Sequence, residues 1–130
     1  MNEAELAAGL PATSSYRYAD VVGDRMYVAG QMPAASDRTL VAPDDPAAQA
    51  ARCLVNLRTL LGVHGFTEAD LRHIRVYVVG PADNLRAAWS AVVAHFDGNV
   101  PPATLLGVTL LGWSGQLVEV DATIERAPAV

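Results

Sequence analysis

The stretch LVEVDATI at residues 117–124 alternates aliphatic and polar residues one for one, and this period of two marks a β-strand with two unlike faces. Val118, Val120, Ala122 and Ile124 form an apolar side suited to lie under helices. Leu117, Glu119, Asp121, Thr123 and Glu125 form the other side, with two carboxylates one pleat apart. A solvated face is the plain reading, because antiparallel sheets often have one. The sharper reading is a face that meets another subunit and places one acid in a cleft.

Working back along the chain, residues 104–111 form a further β-rich run, and residues 74–79, IRVYVV, form a β-branched one. Between them Pro81 opens a helical stripe of Leu85, Trp89, Val92 and Phe96. Earlier still, Asp45-Pro46 reads as an N-cap followed by proline at the first helical position. Ala47, Ala51, Leu54, Leu57 and Leu61 follow at helical spacing, with a stop near Gly62 or Gly65. Residues 16–22 and 25–30 are short β-rich runs around a Gly23-Asp24 turn, and should pair as an antiparallel hairpin. A short edge strand is expected around residues 39–41. The order ββ(β)αβαββ predicts an α+β fold, a mostly antiparallel six-stranded sheet with two helices on one face.

The 130 residues suit a single domain, residues 1–130, with 1–14 as a loose N-terminal tail. Hydrophobic residues make up 52% and charged residues 18%, an apolar excess that points to buried subunit contacts. The net charge is −5 and the nine Lys and Arg are scattered, which disfavours nucleic acid as a partner. No apolar run approaches a bilayer span, and MNEAELAAGLPATSS lacks the parts of a signal peptide, so a cytoplasmic location with no membrane partner is expected. The single Cys53 excludes an internal disulfide, and His64, His73 and His95 sit in no ligand motif. Neither a metal nor another cofactor is expected.

Tyr16, then YVAGQMP (27–33), CLVNLRTLL (53–61), IRVYVV (74–79), PPAT (101–104) and LVEVDATI occur in an order that resembles the Rid family, the reactive-intermediate imine and enamine deaminases also called YjgF-like proteins. The resemblance runs from Tyr16 almost to the end. It implies a chorismate-mutase-like α+β fold assembled as a homotrimer, with a small-molecule cleft at each subunit interface. It also implies that Glu119 activates the water that attacks an imine carbon, a role in keeping with a carboxylate of raised pKa. Asp121 reads as a structural or central-cavity residue. Tyr16 and the Gly30-Gln31 pair match cleft residues of the family, and the glycine lets backbone approach a ligand closely. Gly107 is placed to offer backbone donors in the same way.

The departures bear on specificity. Imine-deaminating members carry an arginine after Pro-Ala that grips the substrate carboxylate; here Thr104 stands in its place, and no hydroxyl makes that charged bidentate contact. Leu106 replaces a frequent cysteine, and Trp89 replaces an interface asparagine, although its place on the apolar stripe suits a core residue equally. Trp113, in the turn LGWSGQ, is placed to cap the cleft or pack on a neighbouring subunit. Arg17 and Arg75 are candidates for a displaced positive charge, or plain solvated strand residues. The expected function is hydrolysis of an imine, enamine or related small carbonyl metabolite, with Tyr16, Gly30, Gln31, Trp89, Thr104, Leu106 and Trp113 as substrate-binding residues. The alternatives are a non-catalytic trimer that binds a metabolite or protein, and recruitment to a different biosynthetic reaction. A ribonuclease role, attributed to some family members, is disfavoured by the acidic balance.

Overall fold

The structure is a computed structural model that describes residues 2–128. A short helix α1 (Glu3–Ala7) precedes the hairpin β1 (Ala19–Val22) and β2 (Arg25–Val28), followed by α2 (Pro46–Val63), β3 (Leu71–Val79), α3 (Ala82–His95), β4 (Ala103–Val108) and β5 (Val118–Glu125). The sheet order is β1-β2-β5-β3-β4. Every pairing is antiparallel except β3–β4, which is parallel. A parallel pair needs a long crossover, and α3 supplies it.

Local chemistry sets the long helix. The Asp45 side chain accepts a hydrogen bond from the Ala48 amide at 3.0 Å, and Pro46 follows at the first helical position. The helix closes through Gly65, whose φ of +77° suits glycine. Ala50, Cys53, Leu54, Leu57, Leu60 and Leu61 of α2 are buried, and they pack with Ile74, Val76 and Val78 of β3 and Val118, Val120 and Ile124 of β5. The last three carry the helix-facing side of β5 read from the sequence. Ala88 and Val92 of α3 complete this layer.

Two expectations are corrected. The sheet has five strands among the described residues, because residues 39–41 contribute only the isolated bridge between Ala34 and Leu40. The segment expected as a loose tail is folded. Leu10 is 2% exposed, the buried Glu5 carboxylate lies 2.9 Å from His64 Nε2 on α2, and the Asn2 side chain accepts from the Tyr18 amide. Among the described residues no helix is long and apolar enough to cross a membrane.

Candidate active site

Glu119 lies in β5, between β2 and β3, with its side chain on the face away from the helices. Across the sheet it is level with Tyr77 of β3, and Tyr77 is level with Leu106 of β4. The next row is Asp121, Arg75 and Thr104. The two acids of β5 therefore belong to different rows and keep different company.

Asp121 is committed to structure. Arg75 Nε lies 2.5 Å from its Oδ1, and the Tyr77 hydroxyl donates to its Oδ2 at 2.9 Å. Burial, and then the hydrogen bond to Asp121, push the Tyr77 hydroxyl pKa up. Arg75 is thus paired with an acid, while Arg17 is exposed and lies 3.7 Å from Asp20. Thr104 Oγ1 lies 3.1 Å from His73 Nε2.

Among the described residues no cation forms an ion pair with Glu119. Its Oε1 accepts a hydrogen bond from Gln116 Nε2 at 3.3 Å, and its carboxylate lies against Gly30. A Cβ added at Gly30 would come within 2.5 Å of Glu119 Oε2, so only glycine fits without displacing the acid. Burial pushes the Glu119 carboxyl above the ordinary glutamate range; the Gln116 hydrogen bond opposes this rise and the Asp121 charge adds to it. A carboxylate so placed is a better proton acceptor than a free one. Cys53, fully buried with its thiol pushed up by burial, is unsuited to act as a nucleophile.

Gln116 was missed in the sequence, although it links two predicted site residues. Its Oε1 accepts from the Trp113 amide at 3.2 Å while its Nε2 donates to Glu119, so one buried amide joins the Trp113 turn to the acid. Gln49 and Asn56 were missed as well. Gln49 Oε1 accepts from the Leu117 amide at 2.7 Å, and Asn56 Nδ2 donates to the carbonyls of Met32 and Ala34. Their signal was present: two polar residues interrupt the apolar stripe of α2 seven positions apart.

The predicted residues divide into groups. Tyr16, Gly30, Gln31 and Trp113 line a cavity of about 100 Å³, together with the unpredicted Arg38. Gln31 is buried, its backbone is paired with Val120 and its side chain donates to the Ala29 carbonyl, so it shapes the site instead of presenting a free amide. Thr104 and Leu106 lie on the open sheet face, with Leu106 41% exposed, and Gly107 follows them in β4. Trp89 packs against the core and is not among the cavity residues. Among the described residues no cluster of three His, Cys, Asp or Glu could hold a metal.

Over residues 7–126 the chain matches the protein family described as Endoribonuclease L-PSP, the family in which the Rid and YjgF proteins fall. The chain belongs to the Rid/YjgF family. Solved structures agree on the fold. The Escherichia coli YjgF gene product is 22% identical, with 92% of this chain and 95% of that one covered and a TM-score of 0.81. RidA from an Antarctic Psychrobacter is 21% identical, with 92% and 95% covered and a TM-score of 0.80. Escherichia coli TdcF with bound serine is 18% identical, with 92% and 94% covered and a TM-score of 0.81. Comparison with curated proteins gives no match. Within this Rid/YjgF fold, the Glu119 carboxylate lies against Gly30.

Proposed function

We propose that this Rid/YjgF protein is a cytoplasmic hydrolase of a small imine, enamine or related carbonyl metabolite, working without metal or cofactor in clefts shared between the subunits of a homotrimer. The observation that carries the reading is the Glu119 carboxylate, half-buried, in no ion pair among the described residues, raised in pKa and seated against Gly30. In this mechanism Glu119 takes a proton from water as the water oxygen bonds to the imine carbon. Glu119 then returns that proton to the carbinolamine nitrogen, and as the C–N bond breaks the hydroxyl gives its proton back to the carboxylate, so that ammonia and a carbonyl compound leave. The serine bound to TdcF supports a ligand of amino-acid size. Thr104 argues against small 2-imino acids as the best substrates, because a hydroxyl hydrogen-bonded to His73 does not replace a guanidinium fork.

Glu119→Gln retains shape and hydrogen bonding but cannot accept the proton. On an imine, enamine or carbonyl substrate that the parent converts, its turnover should fall by roughly 100-fold or more, with the assembly mass unchanged. Equal turnover in variant and parent would move the assignment to the second reading, a non-catalytic metabolite-binding trimer.

A further inference from the structure

Asp121, Arg75, His73 and Thr104, all partly buried, form one polar chain across the open face of the sheet, and chemistry sets the direction of each hydrogen bond in it. A guanidinium only donates. Arg75 is held by Asp121 through Nε, and its Nη1 reaches His73 Nδ1 at 3.3 Å and Thr123 Oγ1 at 3.4 Å. Nδ1 must therefore accept, which leaves the hydrogen of the neutral ring on Nε2. Nε2 lies 3.1 Å from Thr104 Oγ1, so the hydroxyl accepts from the ring and its own hydrogen points elsewhere. Among the described residues His73 is the only hydrogen-bond partner of that hydroxyl.

The chain carries polarity to Thr104 without carrying charge. Asp121 neutralises Arg75, yet the pull of the guanidinium on Nδ1 passes through the ring to Nε2–H and makes the Thr104 hydroxyl a stronger donor. Such a donor suits the lone pair of a neutral carbonyl. A carboxylate would find no counter-ion there. Thr104 is level with Arg75 and lies two residues before Leu106, which shares a row with Tyr77 and Glu119. From strand spacing and rise, Thr104 stands roughly 12 Å from Glu119 at the backbone on the same face, a separation that a ligand several bonds long can bridge between the two side chains.

We propose that Thr104, oriented by His73 and Arg75, is a specificity-determining donor of the Glu119 site, and that it selects a ligand with a neutral carbonyl oxygen over the matching carboxylate. This names the substrate class of the proposed hydrolase, and rests on that reading for the place of the reacting carbon at Glu119. His73 and Arg75 are positioning residues, since they act through Thr104.

Two measurements on the intact protein test this. Nitrogen NMR of the histidine rings in mildly alkaline buffer, with the His73 signals assigned by their loss in His73→Leu, should show the Nε2–H tautomer. Calorimetric titration with pyruvamide and pyruvate, alike in shape and different in charge, should show the amide bound more tightly. Thr104→Val should weaken amide binding by roughly three- to tenfold, the span of one neutral hydrogen bond, while Thr104→Ser retains it. His73→Leu should weaken it in the same direction, with assembly mass and Tm close to the parent's in the Thr104 variants. Binding is read without turnover, so a Glu119→Gln protein as active as the parent would end the hydrolase reading and leave these results standing. An Nδ1–H tautomer, pyruvate bound as tightly as pyruvamide, amide affinity unchanged in Thr104→Val, an assembly lost in that variant, or no amide binding at concentrations that saturate a millimolar site would each overturn the assignment.

Discussion

At the scale of single residues, the two acids of β5 show how environment separates like groups. Asp121 faces Arg75 and Tyr77, whereas Glu119 faces Gln116 and Gly30. The raised Glu119 pKa sets a pH dependence: a general base works when ionised, so the acid limb of kcat/KM should lie above the ordinary glutamate value. Gln116→Leu removes the contact that lowers this pKa and should move the limb further upward, which a kcat/KM–pH profile measures; an unmoved limb would exclude Glu119 as the titrating base. The linked stability has the opposite sign to that of a salt-bridged acid. A folded-state pKa above the unfolded one stabilises below the unfolded value and loses that contribution as pH rises through the folded one. Glu119→Gln should therefore be more stable than the parent at neutral pH, with the gap closing in acid. Glu119 and Gly30 were legible because alternation and a glycine-bearing motif have fixed local meaning. Gln116 was not, since an isolated amide in a turn belongs to no motif, and its bonds to Trp113 and Glu119, each three residues away, follow from how that turn folds.

At the scale of elements, α2 was readable to within a few residues because a capping aspartate, a first-turn proline and a leucine stripe all specify the same start and face. The edge strand failed because TLV at 39–41 has strand propensity, but its loop folds back on Pro33 and Ala35, and Ala34 and Leu40 form its only bridge. The N-terminal segment failed for the opposite reason. A five-residue helix has little intrinsic stability, and what holds it is tertiary: the Glu5–His64 contact and the burial of Leu10 beside the core. If that packing matters to the whole domain, Leu10→Ala should cost about 2–5 kcal/mol in a denaturant titration, as for other buried leucines. A change below about 0.5 kcal/mol, typical of surface substitutions, would show that the segment behaves as the tail its sequence suggested.

At the scale of the whole molecule, the helices cover one side of the sheet and leave the other open. That open side carries Val22 at 58% and Tyr27 at 56% exposure beside the Arg25–Glu125 and Arg75–Asp121 pairs. The α+β layering was legible because hydrophobic period identified each element and the helix-facing side of β5. What covers the open side was not, because an amphipathic face reads the same in solvent and in an interface. The proposed trimer places this side between subunits, in keeping with a chain that is 52% hydrophobic. Light scattering in dilute neutral buffer should then give three times the chain mass. Val22 is level with Arg25 across the hairpin, but Arg25 is already paired with Glu125, so Val22→Glu places an unmatched charge on the open face. The fold should survive by circular dichroism, but the mass should fall to that of one chain, since a charge buried at an interface without its own partner there is costly. A monomeric parent would remove the shared-cleft arrangement. A Val22→Glu protein that remains trimeric would place the interface elsewhere on the surface.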